Sequence, residues 1–152
     1  MKTVIVCASV SHGNTRKIAE VMAEVLGAKV VTPEQADPAE VAAADLAAFG
    51  SGIFYSKFHP TLLDFVRSLP APTGTGRATI FATSGLPELK VAPFTRPLLN
   101  LLTERGYTVE DSFDCRAYDT WTPFKLLGGI NKNRPNETDL ALALGHAELL
   151  RG

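Results

Sequence analysis

Five apolar runs of strand length alternate with helix-patterned segments along this chain, and that alternation restricts its fold more than any other feature. The runs are Thr3–Ala8, Lys29–Val31, Asp45–Phe49, Arg77–Thr83 and Tyr107–Cys115. The third runs out into Gly50-Ser51-Gly52-Ile53, and the fourth has Ile80-Phe81-Ala82 as its core. Strands alternating with helices imply a parallel sheet covered on both faces. Right-handed crossovers leave few ways to connect it. The expected fold class is α/β: a three-layer α/β/α sandwich on a five-stranded parallel sheet, in strand order 2-1-3-4-5.

The helical segments carry the complementary pattern. From Thr15 to Leu26, Ile18, Met22, Val25 and Leu26 fall on one face, while Arg16, Lys17, Glu20 and Glu24 face away. Gly27 ends that helix. Pro38–Ala43 reads as a short, weakly capped helix. Pro60 suits the first turn of a helix reaching about Leu69, with Leu62, Leu63, Val66 and Leu69 inward. A fourth helix starts near Pro97, carries Leu98, Leu99, Leu101 and Leu102, and closes at Gly106. Asn136 caps a final helix to about Leu150, with Asp139 at the capping-box position.

The 152 residues amount to one domain, 1–152, with enough chain for a sizeable core. Fifteen basic and sixteen acidic residues leave a formal charge of −1. Nucleic-acid binders usually show a strong basic excess, so no nucleic-acid partner is expected. No apolar run approaches the roughly 20 residues a membrane span needs. The N-terminus passes straight into a strand without a signal-peptide pattern, and a cytoplasmic protein is expected. Cys7 and Cys115 form no CxxC and lie in strand-like runs, which suits buried reduced thiols. No His, Cys, Asp or Glu cluster has zinc spacing, so no metal is expected.

In such sheets ligands bind beyond the carboxyl ends of the strands, where strand order reverses. Three loops would meet there. Ser9-Val10-Ser11-His12-Gly13-Asn14-Thr15 joins the first strand to the first helix. It is rich in short hydroxyl and amide side chains, and an anion is stabilised at a helix N-terminus without arginine or lysine. Phe54-Tyr55-Ser56-Lys57-Phe58-His59 follows the third strand, and Thr83-Ser84-Gly85 follows the fourth. No Gly-x-Ser-x-Gly elbow or Gly-x-Gly-x-x-Gly fingerprint is present.

Ser9-x-Ser11-x-Gly13-Asn14-Thr15 resembles the phosphate loop of flavodoxins, and element order and length extend the resemblance over the whole chain. It is to a short-chain flavodoxin, without a long insertion in the fifth strand. The resemblance implies flavin mononucleotide (FMN) as cofactor. Ser9, Ser11 and Thr15 would give hydroxyls to its phosphate, Gly13 would let the backbone approach, and Asn14 and Thr15 would give N–H groups. His12 occupies the variable position, where a solvated loop histidine is the default and added positive charge beside the phosphate the alternative. Gly52, Ile53, Phe54 and Tyr55 would line the ring, with Phe54 as the stacking aromatic. Thr83, Ser84 and Gly85 would offer backbone N–H and C=O groups to its pyrimidine edge. Trp121 either covers the ring's outer face or packs against the sheet edge. Asp119 either opposes charge near the ring or starts a turn.

Tyr55 departs from the family pattern, which places a glycine there so that a peptide can flip toward the flavin. A β-carbon makes the flipped, positive-φ conformer costlier by about 1–2 kcal/mol. The same loop resembles that of flavodoxin-like protoporphyrinogen oxidases through Ile53, Tyr55 and Phe58-His59. Three functions follow from these resemblances. The first is electron transfer through non-covalent FMN, with a reductase or acceptor protein as redox partner and no catalytic side chain. The second is a flavin-dependent oxidoreductase acting on a small-molecule substrate of the quinone or porphyrinogen type. In that role His59 is a proton donor, whereas otherwise it is a polar residue where a helix begins. The third is a non-catalytic module that binds a phosphorylated ligand.

Overall fold

The computed structural model describes residues 1–8, 14–54, 57–84, 95–116 and 137–151. Its strands are β1 (Thr3–Ala8), β2 (Lys29–Val31), β3 (Leu46–Phe54), β4 (Lys57–Phe58), β5 (Arg77–Ser84) and β6 (Thr108–Arg116). Its helices are α1 (Asn14–Leu26), α2 (Pro38–Ala43), α3 (Pro60–Arg67), α4 (Arg96–Glu104) and α5 (Glu137–Arg151). Among the described residues no helix is long and apolar enough to cross a membrane.

Five strands pair in parallel in the order β2-β1-β3-β5-β6. This is the expected 2-1-3-4-5 sheet once the two-residue β4 is set aside. The short β4 was not anticipated. It folds back on the end of β3 as an antiparallel hairpin, pairing Ile53 with Phe58 and Phe54 with Lys57. Two paired residues are too few for a period-2 signal to be read from sequence.

Alternate residues of each strand feed two separate cores. Val4, Val6, Ala47, Phe49, Ile80 and Ala82 face α2, α3 and α4 and pack with Val41, Leu62, Val66, Leu98 and Leu102. Ile5, Cys7, Ala48 and Phe81 face α1 and α5 and pack with Ile18, Met22, Ala143 and Ala147. Of the expected α1 stripe, Ile18, Met22 and Leu26 are buried and Val25 is half-buried, and Gly27 follows at φ +62°. On α3 the inward face differs in one place, with Phe65 buried and Leu63 only half-buried. The α2 cap is better formed than expected, since the Asp37 carboxylate accepts from the Ala39 N–H at 3.0 Å.

On β3 the residues turned toward α1 include Gly50. It lies between Cys7 on β1 and Phe81 on β5 in the same row. A β-carbon there would sit 2.2–2.4 Å from three carbons of the Phe81 ring. The strand must be bare at this point because the side chain of its neighbour lies across it. At the other end of β5, Arg77 donates from Nη2 to the Leu150 carbonyl at 2.9 Å and ties the end of α5 to the sheet.

Candidate functional site

The chain leaves β1 through α1 to reach β2 on one side, whereas β3 lies on the other side of β1. Strand order therefore reverses between β1 and β3, and α1 begins at Asn14 beside that cleft. A crevice at such a reversal is where open α/β sheets take up ligands. The first turn of α1 also brings backbone N–H groups without intrahelical partners and the positive end of the helix dipole.

Thr15 connects this helix start to the far side of the cleft. Its Oγ1 lies 2.7 Å from Oγ1 of Thr83, 68 residues away near the end of β5. Both residues are buried, at 3% and 4% exposure. Thr83 pairs with Gly52 of β3, so no side chain of the intervening strand stands beside it. The end of the first strand and the end of β5 thus converge on the same edge.

The end of β3 is held separately. Ser51 is fully buried, and its Oγ donates to the Gly52 carbonyl at 2.7 Å while accepting from the His59 N–H at 3.1 Å. That second bond ties the base of the β3–β4 hairpin. Phe58 is buried in the α3/α4 core. His59 begins α3: its Nδ1 accepts from the Thr61 N–H at 3.2 Å, and the Thr61 hydroxyl lies 2.8 Å from the same nitrogen. The histidine is a polar residue at a helix start, as one of the two sequence readings has it. Ser51 is the residue that holds this strand end in shape, a hydroxyl between two glycines.

Cys7 lies one residue before the end of β1. Burial pushes its thiol up to about 12, with the nearby Arg16 pulling the other way less strongly. It is a protonated thiol at neutral pH and no nucleophile. The two side chains that meet at this edge, Thr15 and Thr83, are uncharged hydroxyls.

Of the expected site residues, Thr15, Gly52 and Thr83 are placed with their surroundings. Asn14 opens α1, Ile53 and Phe54 end β3, and Ser84 ends β5. Ser9, Ser11, His12, Gly13, Tyr55 and Gly85 lie outside the described residues, as do Asp119 and Trp121.

Residues 5–105 match the sequence profile of the flavodoxin domain family. The chain belongs to that family. Membership covers β1 through α4 and so takes in all three loops at the carboxyl edge. An uncharacterised protein of Methanocaldococcus jannaschii is 37% identical over 143 residues, covering 94% of this flavodoxin-family chain and 93% of that protein. Among solved structures, oxidised flavodoxin 1 of Bacillus cereus superposes with a TM-score of 0.70 at 17% identity, over 99% of this chain and 98% of that one. A flavodoxin from the domain Archaea gives 0.65 at 18%, over 99% and 96%. Rubredoxin oxygen:oxidoreductase of Desulfovibrio gigas gives 0.68 at 20% over 97% of this chain, which spans 34% of that larger protein. At these identities the structural likeness is one of fold.

Proposed function

We propose that this flavodoxin-family protein binds FMN non-covalently, as a single domain spanning 1–152, and transfers electrons in the cytoplasm to or from a redox partner protein, a reductase or an acceptor. The observation that carries the reading is the buried Thr15–Thr83 hydroxyl pair where the N-terminus of α1 meets the end of β5. Uncharged hydroxyls at a helix start are a donor set suited to a phosphate. Ser9, Ser11 and Thr15 would hold it with their hydroxyls. His12, Gly13 and Asn14 complete the loop, with N–H groups from Asn14 and Thr15. Gly52, Ile53, Phe54 and Tyr55 would flank the ring, and the backbone of Thr83, Ser84 and Gly85 would meet its polar edge. FMN, when bound, supplies the redox chemistry; the protein positions it and sets its surroundings.

In this role no side chain acts as acid or base. The oxidoreductase reading, on a quinone- or porphyrinogen-type substrate, leans on Tyr55 and on Phe58 and His59. The last two have structural work to do: Phe58 fills the core and the His59 ring caps α3. That use favours the carrier.

Titration of the purified protein with FMN, followed by quenching of flavin fluorescence, tests the reading. Saturable one-to-one binding is expected, and a protein that ignores FMN has some other function. Thr15→Val should weaken FMN binding about 10- to 100-fold, since a hydrogen bond to a charged group contributes about 1.5–3 kcal/mol. Riboflavin, which lacks the phosphate, should be little affected. Equal loss for both flavins would show that Thr15 does not hold the phosphate. Stepwise chemical reduction of the complex separates the two redox roles, two one-electron steps supporting the carrier and a single two-electron step the oxidoreductase.

A further inference from the structure

We propose that Thr83 is a positioning residue for phosphate recognition, acting through the hydroxyl of Thr15. The inference rests on the FMN-binding reading given above and assigns the Thr83 side chain a task distinct from any backbone contact with the flavin ring.

A hydroxyl carries one proton and two acceptor sites. At 2.7 Å apart, the Thr15 and Thr83 oxygens share one hydrogen bond, and either can donate it. Only one direction leaves Thr15 able to serve an anion. If Thr15 donates to Thr83, its single proton is spent within the protein. If Thr83 donates to Thr15, the Thr15 proton is released toward the helix start, and a phosphate there receives it. A phosphate therefore selects the direction Thr83 to Thr15 to anion. Successive hydrogen bonds in a chain polarise one another, more so away from water, and both hydroxyls are almost fully buried. A flavin without phosphate exerts no such selection.

The surroundings fix the geometry. Both side chains are β-branched and stiff at the first torsion. Thr83 stands on a strand paired on both sides, to Gly52 of β3 and to Cys115 of β6. Gly52 puts no side chain beside it. The hydroxyl pair bridges a separation of 68 residues and joins the first turn of α1 to the end of β5.

The test titrates the apo-protein with FMN and with riboflavin, using wild type, Thr83→Val, Thr83→Ser, Thr15→Val and the Thr15→Val/Thr83→Val double variant. Thr83→Val should lower FMN affinity about 10-fold, as expected for one buried hydrogen bond, and riboflavin affinity less than about 2-fold. Thr83→Ser keeps the hydroxyl and should stay within about 3-fold of wild type for FMN. Because Thr83 acts through Thr15, Thr83→Val should add less than about 2-fold to the FMN-to-riboflavin ratio once Thr15 is valine. Thermal melts of each apo-variant establish that it is folded, and Thr83→Ala replaces Thr83→Val if the valine variant is not. Equal loss of both flavins in Thr83→Val, no loss of FMN, or independent losses in the double variant would each overturn the inference while the FMN reading stands. A wild-type protein that binds neither flavin overturns both.

Discussion

Gly50→Ala should lower the stability of the protein by about 3 kcal/mol, at the upper end of what overpacking a core costs. The new β-carbon would lie 2.2 Å from Cε2, 2.3 Å from Cζ and 2.4 Å from Cδ2 of Phe81. Relief requires the ring or the strand to move. The ring is fully buried and packs with Ile5, Cys7, Ile18 and Met22. The strand is hydrogen-bonded to β1 on one side and β5 on the other. Neither gives way cheaply in an interior packed as densely as an organic crystal. Urea denaturation measures the loss. Phe81→Leu also destabilises, by removing buried ring, but it vacates the space that the methyl group needs. The double variant should thus be more stable than the sum of the two single changes allows, by at least about 1 kcal/mol. A Gly50→Ala protein within about 0.5 kcal/mol of wild type would show that the Phe81 ring can turn aside at little cost.

The second large effect appears at alkaline pH. Burial raises the Cys7 thiol from 9.0 to about 12. In the unfolded chain the thiol ionises as pH passes 9; in the folded protein it holds its proton until about 12. Above pH 9 the folded state therefore binds more protons than the unfolded state, and stability falls as pH rises. The contribution is fully present below pH 9 and is lost progressively up to about 12, at a slope of about 1.4 kcal/mol per pH unit. Burial also raises the Tyr107 phenol from its ordinary 10.0, which adds a loss of the same sign above pH 10. Cys7→Ala removes the first of these and keeps the second. Denaturation midpoints at pH 7, 9, 10 and 11 should fall more steeply for wild type than for Cys7→Ala. Parallel curves would mean that the thiol ionises in the folded state as easily as in the unfolded chain.

The architecture was legible because its signals are local and repeated. Ile18, Met22 and Leu26 recur at helical spacing, Pro38 and Pro60 mark helix starts, and each strand is an apolar run bounded by turn residues. Family membership and sheet order follow from the same pattern. Features that depend on two distant residues meeting were not legible. Nothing in Gly50 alone shows that a phenylalanine 31 positions later will lie over it. The loop motif singles out Thr15 as a residue at a helix start, yet only the fold shows that its hydroxyl is already engaged by Thr83. Hairpin β3–β4 was missed for the opposite reason: it is local, but two residues leave no period to detect.

The bare face of β3 has a consequence for how the chain is made. On a ribosome, β1, α1, β2 and β3 are synthesised before β5. At that stage α1 can settle on Ile5 and Cys7, but Gly50 leaves beside them the space that Phe81 takes in the folded protein. The filler, Phe81, arrives with β5, which pairs with β3 from Leu46 to Gly52. The interior beside Ile5 and Cys7 is thus finished only by β5 and α5 together, the latter adding Ala143 and Ala147.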